Sequence, residues 1–254
     1  MVLAPLDPRI AAVYKWSPAL IGSCQSFTII IGMWASLFMF ACASSLSTSS
    51  LHPTVVTAYF KLPSKHSYAQ YCKWMDHMLS HTDPMVIYTE PDLVQTIMRL
   101  RNHAATHIVE LTLNELEIGR EQSTHFWQQQ LQRDPEKKIH RSHELFWIWL
   151  SKTWFVNDAI RLNPFKSTVF VWCDIGSFRQ SGEYSVKMVA RPDIVPENSM
   201  LMMAYKPLPT NQVSQWFVKQ EGDLFLSGAH MAGTKNTWVK FHTLFKQVFN
   251  EYVQ

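Results

Sequence analysis

The sequence predicts an α/β protein, a Rossmann-like domain over residues 54–254 preceded by one membrane-spanning helix over residues 20–43. Three observations lead there. No Asp, Glu, Lys or Arg lies between Lys15 and Lys61, and an apolar run fills the middle of that interval. From Thr54 to Leu113, apolar runs of strand length alternate with helical periodicities, the pattern of a parallel sheet with helical crossovers. Finally, the β-branched and aromatic run Val169–Trp172 ends in Cys173-Asp174-Ile175-Gly176, one carboxylate followed directly by a turn glycine.

The whole-chain properties set the limits. With 254 residues, 47% of them hydrophobic, the chain suits one sizeable domain, or one domain plus an anchor. The net charge is +3 with both signs interspersed, so no nucleic-acid partner is expected. Four cysteines occur without a CxxC or Cys/His ligand spacing, which supports neither a disulfide framework nor a zinc site. A single Cys72–Cys173 bridge stays open.

From Leu20 to Ala43 the chain can cross a hydrocarbon core of about 30 Å as a helix. Arg9, Lys15 and the free amine outweigh Asp7 on the N-terminal flank, and Ser44–Ser50 carry no charge. The positive-inside rule then puts residues 1–19 in the cytosol and the domain across the membrane, a type II signal anchor. Residues 44–53, rich in serine, read as a short stem. Two other readings stay open. Ala41-Cys42-Ala43 resembles a signal-peptidase site, which would make the protein secreted, and a helix buried within the fold is the third.

The elements follow in order. Thr54–Phe60 is a continuous apolar run and a first buried strand. Tyr68, Tyr71, Cys72, Met75, Met78 and Leu79 recur at helical spacing. Pro84–Thr89 is a second strand. Pro91 opens a helix whose buried face is Leu93, Val94, Ile97, Met98 and Leu100. His107–Leu113 is a third strand. Residues 114–140 are polar, with a helix around Gln122–Gln132 and a break at Asp134-Pro135. Ser142 can cap one long helix that runs to Leu162 and stops at Asn163-Pro164. Lys152 is a lone charge within its aromatic part, for which a surface position is the default. After Val169–Trp172 come short runs at Val186–Ala190 and Met200–Tyr205. Gly228 and Gly233 then bracket Ala-His-Met-Ala before a final helix bearing Trp238, Phe241, Leu244, Phe245, Val248, Phe249 and Tyr252. Small residues there allow close approach to the backbone, or serve as ordinary turn chemistry. No GxGxxG follows the first strand and no GxxxxGK[ST] occurs, which disfavours a dinucleotide cofactor and P-loop hydrolysis.

Val56–Phe60, His66-Ser67-Tyr68, Val86–Thr89, Asn163-Pro164-Phe165 and Phe170–Arg179 together resemble the HtrL/YibB-like family, a group with GT-A glycosyltransferase character. Separately, Glu221–Thr234 is similar to the acceptor-side segment of ABO-type Golgi glycosyltransferases, with His230 and Met231 replacing two aromatics. The resemblance implies a GT-A-like fold, a nucleotide-diphospho-sugar donor, a glycan or other hydroxyl acceptor, and a Golgi or other secretory-lumen location. It makes Asp174 the candidate ligand of a Mn²⁺ or Mg²⁺ held by the diphosphate. Thr57, Ala58 and Tyr59 would contact the nucleoside, Lys152 and Arg179 the phosphates, and Gly228, Ala229, His230 and Gly233 the sugar and acceptor. Glu221 and Asp223 are the nearby carboxylates for a general base.

Two departures set up an alternative. Gly176 stands where the usual acidic motif has its second carboxylate, and the chain stops at Gln254, where relatives continue. The expectation is therefore a domain incomplete at its C-terminus. Either it transfers a sugar with a divalent metal, or it is an inactive relative that binds nucleotide or glycan.

Overall fold

The computed structural model describes residues 52–63, 66–179, 192–204 and 226–253. The expected anchor over 20–43, the Val186–Ala190 run, Glu221 and Asp223 lie outside the described residues. No helix among the described residues is long and apolar enough to cross a membrane.

Apolar runs become buried strands here because both of their faces are covered. The strands are β1 (Thr54–Tyr59), β2 (Met85–Thr89), β3 (Thr106–Glu110), β4 (Val169–Cys173), β5 (Leu201–Ala204) and β6 (Leu226–Thr234). They form one sheet in the order β3-β2-β1-β4-β6-β5. The first four are mutually parallel, with Val56 opposite both Val86 and Trp172, while β6 runs antiparallel to β4 and β5 antiparallel to β6. Every residue of β1, β2 and β4 is buried, as a parallel sheet between two helical layers requires.

The helices are α1 (Tyr68–Leu79), α2 (Val94–Arg101), α3 (Glu117–Arg120), α4 (Thr124–Arg133), α5 (Lys137–His140), α6 (Glu144–Leu150), α7 (Lys152–Leu162) and α8 (Lys235–Val253). Strand alternation divides the core in two. Val55, Tyr59, Val171, Cys173 and Ala232 face Met75, Met78 and Leu79 of α1, together with Leu93 and Ile97. On the other face, Val56, Ala58, Phe170, Trp172 and Met231 meet Phe146, Phe155, Val156, Trp238 and Phe249. Ser67 caps α1, its Oγ accepting from Gln70 N at 3.2 Å. Asn163, at φ 38°, ends α7 before Pro164 as the sequence indicates.

Four expectations need correction. The helix expected from Ser142 to Leu162 divides at Ser151, which lets α6 and α7 each turn an apolar side into the same core. Ser142 does not cap it: His143 holds the cap position, and the Ser142 hydroxyl donates to Glu144 Oε2. The Gly228–Gly233 segment is part of a nine-residue strand rather than a turn. Pairing with β4, from Val169 opposite Thr234 to Cys173 opposite His230, overrides the weak strand preference of Gly and Ala. Met98 is 45% exposed; Ile97 and Arg101 are the buried residues of α2, and Leu93 is buried in the turn before it. Cys72 and Cys173 are both free.

Candidate functional site

The sheet order fixes where a ligand can enter. β2 and β3 extend the sheet from β1 in one direction, whereas β4 lies on the other side of β1. In open α/β sheets such a reversal leaves a crevice outside the carboxyl ends of the flanking strands, here β1 and β4, and that is the usual binding place. Asp174 is the first residue beyond β4, and Tyr59 closes β1.

Three elements hold Asp174. Its backbone N–H donates to Ala229 O of β6 at 2.9 Å, and its carbonyl accepts from Ser177 N at 2.9 Å, closing the turn after β4. Its Oδ1 accepts from Trp172 Nε1 at 2.7 Å and from Lys152 Nζ at 2.7 Å, with Oδ2 3.1 Å from the same ammonium. Lys152 Nζ also donates to Gly228 O at 3.0 Å. The Lys152 side chain is only 8% exposed and that of Asp174 22%. Such burial of an ammonium is sustained by pairing and by hydrogen bonds. The ammonium lies 5.7 Å from the Trp172 ring, which is itself stacked on Phe155. Lys152 is thus no surface lysine: the division at Ser151 starts α7 at the sheet edge, with its first side chain turned toward Asp174.

The α1 side of the crevice is aromatic. Tyr59 packs on Tyr68 and Tyr71, and Tyr71 meets Trp74 edge-on at 5.3 Å. Burial, with neighbouring phenols and Cys72 adding to it, pushes the Tyr59 hydroxyl well above the usual range, so it stays protonated. Arg179 is exposed and lays its guanidinium 4.5 Å from the Trp74 ring centre. Gly176 explains why the turn carries one carboxylate. A Cβ there would come 3.3 Å from Trp74 and 3.4 Å from Tyr71, so a second acidic side chain would press on both rings.

The remaining expected residues separate into two groups. Gly228, Ala229 and His230 lie beside Asp174. Burial holds the His230 imidazole below its ordinary pKa, against the pull of the Asp174 charge, and favours the neutral ring. Gly233 pairs with Phe170 toward the other end of β4, and a Cβ there would reach the Met200 sulfur at 2.9 Å, so its smallness serves packing. Thr57 is fully enclosed within β1, Ala58 is 6% exposed, and only Tyr59 reaches the aromatic wall. Sequence reasoning missed Trp172 as a donor, the Gly228 carbonyl, and Tyr68, Tyr71 and Trp74 as a wall. The spacing of those rings, three residues apart on α1, was the available signal. Cys173 is inert, its thiol raised to about 12 by burial and by Asp174.

A family model described as "Bacterial protein of unknown function (HtrL_YibB)" matches residues 52–254. The chain belongs to the HtrL_YibB family. The matched span covers all six strands and every residue of the Asp174 cluster. A search of curated proteins found no match.

The donor set of this HtrL_YibB domain can be tested against the divalent ion expected at Asp174. Mg²⁺ or Mn²⁺ asks for free oxygen ligands in an octahedral shell. Asp174 offers one carboxylate, and both its oxygens already face Trp172 Nε1 or Lys152 Nζ. No group of three or more His, Cys, Asp or Glu side chains suited to a metal occurs among the described residues. An ion bound at Asp174 would sit about 4 Å from the ammonium, where a divalent–monovalent pair repels by about 8 kcal/mol at an effective dielectric of 20. As arranged, these residues do not fit a divalent ion.

Proposed function

We propose that this chain binds a nucleotide-diphospho-sugar in the crevice outside β1 and β4, in the manner of a GT-A glycosyltransferase, and transfers the sugar to a hydroxyl acceptor. The observation that carries this reading is the Lys152–Asp174 pair, nearly enclosed and placed at the point where the strand order reverses. A diphosphate has the charge to meet Lys152 and Arg179, and the wall of Tyr59, Tyr68, Tyr71 and Trp74 offers apolar surface to a base. Gly228 to His230 would border the sugar. The apolar run over residues 20–43 supports a tether that holds the domain on one side of a membrane.

One observation favours a second reading, in which the domain binds the donor without turnover. Asp174 is the carboxylate paired with Lys152, and it is already held by two donors. It is therefore poorly placed to take an acceptor proton.

The test is calorimetric titration of the full-length chain with uridine and guanosine diphosphates, then with a panel of nucleotide-sugars while free nucleoside diphosphate is measured. Micromolar binding accompanied by release supports the transferase. Binding without release for any donor and acceptor supports the second reading. Failure of every nucleoside diphosphate to bind would sink both.

A further inference from the structure

We infer that the fixed cation of this site is the Lys152 ammonium, and that nucleoside diphosphates bind here without a divalent ion. This rests on the reading of the crevice as a nucleotide-diphosphate site. The argument is one of charge and geometry. A diphosphate needs positive charge beside it, supplied by a metal ion or by fixed side chains. Here the carboxylate that would hold a metal is committed: Oδ1 accepts from Trp172 Nε1 and Lys152 Nζ, each at 2.7 Å, and Oδ2 lies 3.1 Å from the ammonium.

Lys152 is built in rather than adventitious. It is the first residue of α7, its side chain is 8% exposed, and Gly228 O of β6 accepts from it at 3.0 Å. The ammonium has three N–H bonds and three acceptor atoms around it, Asp174 Oδ1 at 2.7 Å, Gly228 O at 3.0 Å and Asp174 Oδ2 at 3.1 Å, so an incoming phosphate oxygen would take the place of the long contact to Oδ2. Asp174 and Trp172 aim the ammonium instead of gripping a metal, which makes Asp174 a positioning residue. Arg179, exposed beyond the same turn and stacked on Trp74, supplies a second positive group. Lys61 is spent elsewhere, 2.5 Å from Asp92.

The full-length chain is titrated with uridine and guanosine diphosphates, once with Mn²⁺ and once with EDTA. The same is done for Lys152→Met, Lys152→Arg, Asp174→Asn and the double variant Lys152→Met/Asp174→Asn. Dissociation constants with Mn²⁺ and with EDTA should agree within about threefold for the wild type, a difference of less than 1 kcal/mol. Lys152→Met should weaken binding by about tenfold or more in both buffers, and Lys152→Arg should recover most of it. Asp174→Asn, which keeps an acceptor for the ammonium but removes the carboxylate charge a metal would need, should leave its own constants with Mn²⁺ and with EDTA within about threefold of each other. Since Lys152→Met leaves a partly buried carboxylate unpaired, the double variant removes both charges and shows the loss of the cation in a protein free of that strain. Manganese paramagnetic resonance on the nucleotide-free protein should give no bound signal for the wild type.

Binding that appears only with Mn²⁺ overturns the inference while the nucleotide reading stands. Loss of binding in Asp174→Asn with no change in Lys152→Met overturns it equally. Absence of binding under both conditions removes the nucleotide reading and this inference together.

Discussion

Arg101 supports the sharpest stability prediction in the molecule. It ends α2, is 2% exposed, and its guanidinium is enclosed by acceptors. Nη1 donates to Leu79 O at 2.8 Å and His81 O at 2.5 Å, Nη2 to Asp83 O at 2.8 Å and Ala105 O at 3.2 Å, and Nε to Thr106 Oγ1 at 2.9 Å. One side chain therefore ties the α1–β2 connection to the start of β3. Burial lowers its pKa to about 10, which leaves it charged at neutral pH. Arg101→Met keeps the stem and removes all five bonds. Ala105 O retains Met85 N at 2.9 Å, but the carbonyls of Leu79, His81 and Asp83 lose this donor. At about 1 kcal/mol for each poorly satisfied acceptor, the loss is about 3 kcal/mol, and breaking a buried charged network takes it toward about 5 kcal/mol. Urea unfolding should show the midpoint falling with an unchanged slope, and the melting temperature should drop by about 10 °C for a domain of this size. Arg101→Lys, with three donors instead of five, should lose roughly half as much. A cost below about 1 kcal/mol for Arg101→Met, or no difference between the two variants, would refute the account of Arg101 as the clasp of this edge.

Further outcomes follow from the site. Gly176→Val adds a branched side chain where even a Cβ would lie 3.3 Å from Trp74; melting should show a cost of about 1–3 kcal/mol, and nucleotide affinity should fall with it, Gly176→Ala being milder. Trp172→Phe keeps the ring stacked on Phe155 but removes the N–H to Asp174; an equilibrium unfolding cost of about 1.5–3 kcal/mol is expected, and a neutral variant would deny that bond a role. His230 and His242 both have folded pKa values below their unfolded value, chiefly through burial, with Lys246 adding to the effect at His242. The unfolded chain then binds more protons on acidification, so stability is intact above about pH 6.5 and declines as pH falls through that value toward the folded pKa. His242→Asn, beside Thr153 Oγ1 at 3.0 Å, should flatten the decline in a pH series of melting curves.

Much of the fold was legible because its strands are buried on both faces. Thr54–Phe60, Pro84–Thr89 and Val169–Trp172 read as continuous apolar runs for the same reason that β1, β2 and β4 have no exposed residue. Asp174 was legible too, since a lone carboxylate at a strand end is a local pattern. What escaped depends on residues far apart in the chain. The partner of Lys152 lies 22 positions away and its carbonyl acceptor 76 away, so nothing near Lys152 distinguishes it from a surface lysine. Similarly, Leu226–Thr234 has glycines where a strand would carry branched residues, and only the β4 register makes it one. Arg101 sits at the end of an amphipathic helix where a basic residue is unremarkable; its burial is set by loop carbonyls that no helical period reveals.

The antiparallel return of β6 makes the end of β4 a prepared site. In an all-parallel sheet the neighbour of β4 would also end at this edge. β6 instead begins there, so the backbone at Gly228 and Ala229 runs past Asp174 before the pairing with β4 starts at His230. Both of their carbonyls are used: Ala229 O takes the Asp174 amide and Gly228 O takes the Lys152 ammonium. A carboxylate and an ammonium on mobile surface side chains would have to be ordered when a ligand arrives, at about 0.5–1.5 kcal/mol for each immobilised side chain. Here α7, β4 and β6 have fixed both groups during folding, and Trp172, locked on Phe155, fixes the carboxylate a second time. The cost of orienting this charge pair is met by the core, so the anion proposed for the crevice would find the ammonium already aimed.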